Sequence, residues 1–61
     1  MYTLVYENGK RVMFSNSDYL LLYLLHFCPK MQLRDFALIL EWIDYEDDLP
    51  FCWESLYIIK E

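Results

Sequence analysis

The chain has a single glycine, Gly9, and it follows an asparagine. That pair is the strongest local instruction about where this backbone must reverse. Asn and Gly both tolerate the positive φ that the two loop residues of a type I′ turn require. A two-residue loop at Asn8-Gly9 predicts a β-hairpin over Thr3–Phe14, pairing Glu7 with Lys10, Tyr6 with Arg11 and Val5 with Val12. Glu7 opposite Lys10 is a favourable cross-strand charge pair. Alternation then puts Thr3, Val5, Val12 and Phe14 on one face, with Tyr2, Leu4, Tyr6 and Met13 on the other. Both faces are apolar, so neither is marked for solvent.

A helix should follow. Ser15 and Asp18 fit an S-x-x-D capping box, and Phe14 and Tyr19 occupy the positions of a hydrophobic staple. The helix is expected from Asn16 to about Phe27, because Pro29 disfavours helical geometry at Cys28. Its sequence from Ser17 to Cys28, SDYLLLYLLHFC, is apolar almost throughout. By helical angle, Leu21, Leu24, Leu25 and Cys28 form the expected core stripe. Tyr19, Leu22, Tyr23 and His26 form an opposite face, apolar but tipped with hydroxyl and imidazole groups.

A second helix is expected from Met31 to Ile43, with Leu33, Phe36, Ala37, Leu40 and Ile43 facing the core. Its other side carries Arg34, Asp35 and Glu41, but also Leu38 and Trp42. The short Pro29-Lys30 link makes the two helices an antiparallel hairpin. The tail CWESLYIIKE favours a strand through Tyr57-Ile58-Ile59, which would complete a sheet with the hairpin. A third helix, with Pro50 in its first turn, is the alternative. The expected fold class is α+β, order ββααβ, in one compact domain over residues 1–61.

Composition adds a problem of area. A domain of this size buries only about 60% of the surface its unfolded chain exposes. Yet 57% of its residues are hydrophobic and 20% aromatic. Such a chain is unlike a disordered one, and it has more apolar surface than its own core can hide. A homodimer or a protein partner is therefore expected, with Tyr19, Leu22, Tyr23, His26 and Leu38 as the self-association surface.

Charge is divided unevenly. Residues 1–34 carry four basic against two acidic residues, and residues 35–61 carry eight acidic against one basic. Half of the ten acids lie between Glu41 and Asp48: Glu41, Asp44, Glu46, Asp47 and Asp48. Trp42, Tyr45 and Phe51 are interleaved with them. Acids at a helix C-terminus oppose its dipole, which suggests that the placement has a use. Carboxylates would steer the protein to a basic partner and aromatics would supply contact. Glu41, Trp42, Asp44, Tyr45, Glu46, Asp47 and Asp48 are thus the candidate partner-binding residues. An acidic pole repels nucleic acid and lipid phosphate, so neither is an expected direct ligand.

Other chemistries find little footing. The acidic run lacks the glycine and bidentate Glu of an EF-hand loop. His26, Cys28 and Cys52 are too few, and wrongly spaced, for a structural zinc site. No metal or cofactor is expected. There is one histidine, no glycine-rich phosphate loop and no nucleophile beside an evident base, so the expected protein is not an enzyme. Two isolated cysteines read as reduced and the chain as cytoplasmic. The N-terminal MYTLVYENG lacks the pattern of a signal peptide, and the run Tyr19–Cys28 is too short to span a bilayer. A complete, unprocessed chain is the expectation.

In size, charge and aromatic content, the chain resembles the small inhibitors made by bacteriophages and mobile elements. Those include DNA mimics that block repair enzymes, restriction systems and CRISPR effectors. The resemblance implies a protein that occupies a basic, nucleic-acid-binding groove on a larger protein, in the host cytoplasm. The competing expectation is a structural or assembly subunit that self-associates through its apolar helix faces.

Overall fold

The computed structural model describes residues 1–61. Its order is β1 (Tyr2–Val5), β2 (Arg11–Phe14), α1 (Ser17–Phe27), α2 (Leu33–Asp44), β3 (Phe51–Trp53) and β4 (Leu56–Lys60). The four strands form one antiparallel sheet in the order β2-β1-β4-β3. The fold is α+β and its last element is a strand, as expected. The short strand β3 is an addition. It pairs Phe51 with Ile58 and Trp53 with Leu56 across a two-residue turn at Glu54-Ser55, where Glu54 takes φ 49. The chain therefore leaves the sheet at one edge, β2, and re-enters at the other, β3. The two helices bridge that distance across one face.

The first hairpin departs from the expected register by one residue. Leu4 faces Val12 and Val5 faces Arg11. Tyr6 N–H donates to Lys10 O at 2.8 Å, and Gly9 N–H donates to Tyr6 O at 2.9 Å. The loop is thus three residues, Glu7-Asn8-Gly9, and only Gly9 has positive φ, at 90°. A turn ending on one left-handed glycine does the work assigned to the Asn-Gly pair. Asn8 contributes its side chain instead, accepting from Lys10 N–H at 3.0 Å.

A shift of one residue moves side chains to the other face. Tyr2, Leu4, Val12 and Phe14 share the helix-facing side, joined by Phe51, Trp53, Leu56 and Ile58. Thr3 and Val5 lie on the opposite side from Val12 and Phe14, contrary to the expected grouping. They are nonetheless buried, because β1 is central and its neighbours flank them. Thr3 sits between Met13 and Ile59, and its hydroxyl is buried without a hydrogen-bond partner.

Both helix starts differ from expectation by one or two residues. The N-cap of α1 is Asn16, not Ser15: its side chain accepts from Tyr19 N–H at 3.0 Å. Asn caps a helix as well as Ser does, and this choice satisfies the N3 amide. Helix α2 begins at Leu33 rather than Met31, with Gln32 N–H donating to the Asp35 carboxylate at 2.8 Å. Met31 instead joins the core.

The helices also present different faces from those expected. In α1 the inward stripe is Leu20, Tyr23, Leu24 and Cys28, while Leu25 is exposed. In α2 it is Phe36, Ile39, Trp42 and Ile43, while Leu33, Ala37 and Leu40 face outward. The cause is aromatic. Tyr23 packs edge-on against Phe14 at 5.3 Å and its hydroxyl shares a 2.9 Å hydrogen bond with that of Tyr6. Trp42 packs against Tyr2 at 6.1 Å and Phe51 at 5.8 Å. Large rings whose polar tips find partners bury more than leucines do, and they set the rotation of each helix.

Two substitutions test the local readings. Gly9→Ala meets no atom within 4 Å of its new Cβ, so its cost is backbone strain alone. A loss of about 1 kcal/mol is expected, read as a melting temperature lower by roughly 4–8 °C. Thr3→Val removes the orphaned hydroxyl at nearly constant shape. It should raise stability by about 1 kcal/mol in urea unfolding, since an unsatisfied buried hydroxyl costs about that much or more.

Candidate functional site

Two surfaces stand out, one charged and one apolar. The charged one begins at the end of α2. Glu41, Asp44, Tyr45, Glu46, Asp47 and Asp48 are all exposed. Trp42, grouped with them by sequence, is 8% exposed and belongs to the core. Its role is to hold the loop from beneath: its indole N–H donates to Leu49 O at 2.7 Å.

Lys60, at the end of β4, completes that hold. Its ammonium donates to Trp42 O and Tyr45 O, each at 2.7 Å, and to Asp47 O at 3.4 Å. It also lies 4.7 Å from the centre of the Trp42 ring. These carbonyls are at or just past the C-terminus of α2, where unpaired C=O groups gather partial negative charge. A cation there offsets the unfavourable placement of acids at the same end. The loop backbone is tied from below, and its carboxylates are left outward.

The apolar surface is a groove between the two helices. Leu21, Leu22 and Leu25 of α1 and Leu33, Phe36 and Leu40 of α2 line it, with Asp18 as its one charged residue. Its volume is about 520 Å³. Leu33 is 87% exposed and Leu25 61%. Leu25, Leu33 and Leu40 were expected in the core, so these groove residues were missed as surface candidates. The available signal was the excess of leucine over what a domain this small can bury.

The five proposed self-association residues divide. Tyr19, Leu22, His26 and Leu38 are exposed, but only Leu22 lines the groove. Tyr23 is half-buried and stacked on Phe27 at 4.6 Å. Its partner Tyr6 has a phenol pushed above its ordinary value, first by burial and then by the hydrogen bond to Tyr23.

The two cysteines are free. Cys28 is in the core between sheet and helices, where burial pushes its thiol up. Cys52 is exposed and pairs with Tyr57, a position on the other side of the sheet. The sheet separates them, so no disulfide can join them within one folded chain. His26 lies on the exposed side of α1. No three His, Cys, Asp or Glu side chains converge in a way that could hold a metal ion. No helix is long and apolar enough to cross a membrane.

The latch at Lys60 makes a quantitative expectation. Lys60→Met keeps much of the stem but removes hydrogen bonds from a charged donor, each worth about 1.5–3 kcal/mol at most in such settings. A net loss of about 2 kcal/mol is expected, shared with loosening of the loop. The Trp42 indole N–H should exchange with solvent much faster in the variant, while β1 amides change only with global stability. Unchanged indole exchange would show that Lys60 does not hold the loop.

No protein-family model, no curated protein and no solved structure matches this chain.

Proposed function

We propose that the protein acts by binding another protein, without catalysing a reaction, and that its acidic loop occludes a basic surface on that partner. The observation that carries this reading is the loop after α2. Its backbone is tied by Lys60 and Trp42, while Asp44, Glu46, Asp47 and Asp48 remain exposed. A row of carboxylates on a fixed backbone loses little freedom on binding, which favours affinity. The same charges raise the rate of encounter with a cationic groove.

A groove built for nucleic acid is the best match, because it combines lysine and arginine with surfaces that accept stacked rings. The exposed Tyr45 supplies such a ring beside the carboxylates. On this reading the protein stands in for nucleic acid and blocks a nucleic-acid-processing protein. Phage-type inhibitors of CRISPR effectors, restriction systems or repair enzymes act in that manner, within the host cytoplasm. The exposed leucine groove favours a second contact, self-association, which can accompany the first.

The test compares wild type with a variant reversing four charges, Asp44→Lys, Glu46→Lys, Asp47→Lys and Asp48→Lys. Both are used as bait in source-cell lysate at low and high salt. Wild type should capture a nucleic-acid-binding protein at low salt, lose it at high salt, and compete with that protein's nucleic acid. The variant should capture none of it while keeping the wild-type circular dichroism. Equal capture by a folded variant would overturn the proposal.

A further inference from the structure

The outward side of α2 has a pattern that is complementary to itself. Arg34, Ala37, Leu38 and Glu41 are spaced i, i+3, i+4 and i+7, so they form one stripe. All four are exposed. The stripe is small and apolar in the middle, cationic at its start and anionic at its end. Arg34 and Glu41 are about 10 Å apart along the axis. A two-fold axis passing between Ala37 and Leu38 would lay a second α2 antiparallel on the first. That places each Arg34 against Glu41 of the second copy.

Neighbouring charges agree with this arrangement. Asp44, three residues beyond Glu41 in α2, adds to the negative end. Asp35 is the exception in sequence, but its carboxylate is engaged within its own helix start, accepting from Gln32 N–H at 2.8 Å. Beside the stripe lies the groove walled by Leu22, Leu25, Leu33 and Leu40. Each of these leucines is at least half exposed. Together they make a contiguous apolar strip that a second copy laid on this side would cover. A stable interface takes about 800 Å² from each partner, somewhat under a fifth of the 4452 Å² surface of this chain.

We infer that the occupant of this face is a second copy of the chain, in an isologous dimer with α2 antiparallel to α2 and Arg34 paired to Glu41 in both directions. The small Ala37 lets the helices approach, and the leucine walls are removed from water by the same contact. Glu41 and Asp44, at the end of α2, fall within this interface, whereas Glu46, Asp47 and Asp48 lie beyond it, so the dimer still presents two acidic loops. The inference does not depend on what those loops bind.

The experiment uses three preparations and reads mass in solution by sedimentation equilibrium. Wild type should have twice the chain mass at micromolar concentration. Arg34→Glu alone sets two acids against each other at each end, and Glu41→Arg alone sets two cations. Each single variant should keep its circular dichroism and dissociate about tenfold more readily, or more. An equimolar mixture of the two should recover twice the chain mass as a heterodimer, since opposite charges are then restored at both ends. Leu38→Asp should give a folded monomer in any mixture. A monomeric wild type overturns the inference, and so do single variants that dissociate no more readily than wild type across the concentration range. Single variants that dissociate but do not recover on mixing overturn the antiparallel register.

Discussion

The pairing of β1 with β4 is the contact on which the rest of the molecule depends. It joins the first residues of the chain to the last, with Tyr2 opposite Lys60 and Val5 opposite Tyr57. Glu61 N–H reaches Met1 O at 2.7 Å just beyond it. Without this ladder the chain would hold two separate hairpins, each marginal alone in water. With it, β1 becomes a central strand whose Thr3, Leu4 and Val5 are all buried, and the sheet gains the width that two helices can cover. The same pairing fixes Lys60 beneath the end of α2. A contact between the chain ends thereby sets the conformation of a loop more than ten residues away in sequence.

What the sheet receives from the helices is decided by ring size and hydrogen bonding more than by hydrophobicity. Tyr23 and Trp42 carry polar atoms, which makes them look like surface residues in a sequence crowded with leucine. Each finds an acceptor or donor at the core boundary, Tyr6 for one and Leu49 O for the other. Once those polar atoms are satisfied, burying the rest of the ring is favourable. Leu25, Leu33 and Leu40 then have no room inside. The exposed leucine groove is therefore a consequence of aromatic residues winning the limited core of a small domain.

This competition explains which parts of the fold were legible in the sequence. The position of the first turn, the stop at Pro29 and the two helices follow from local signals, while the final strand is the favoured reading of a tail that also allows a helix begun at Pro50. The hairpin register did not follow from such signals, because a lone Gly9 suits a three-residue loop as well as a two-residue one. The helix faces did not either. Where Tyr19 through Leu25 are all apolar, periodicity has no phase, and only the sheet beneath can choose one. Strand β3 has three residues and borrows its stability from β4, so Phe51-Cys52-Trp53 gave no pattern long enough to read. For the candidate site, the acidic run was plain, but the burial of Trp42 within it depends on Tyr2, Phe51 and Lys60, all distant in sequence.

The electrostatics of the acidic loop bear on why it is acidic at all. Residues 35–61 contain one cation, Lys60, and it gives its ammonium to backbone carbonyls. That use stabilises the end of α2 and the course of the loop, and it does so without neutralising the nearby carboxylates. A fold that needed only a tethered loop could have used neutral side chains at Asp44, Glu46, Asp47 and Asp48. They would avoid mutual repulsion and the unfavourable end of the helix dipole. The carboxylates add cost to the folded chain and lie outside its hydrogen-bonded latch. Solubility asks only for charge somewhere on the surface, whereas here it is concentrated on a loop whose backbone is tied by Lys60 and Trp42. A fixed backbone with exposed like charges is the arrangement that a cationic surface, supplied from outside, would relieve.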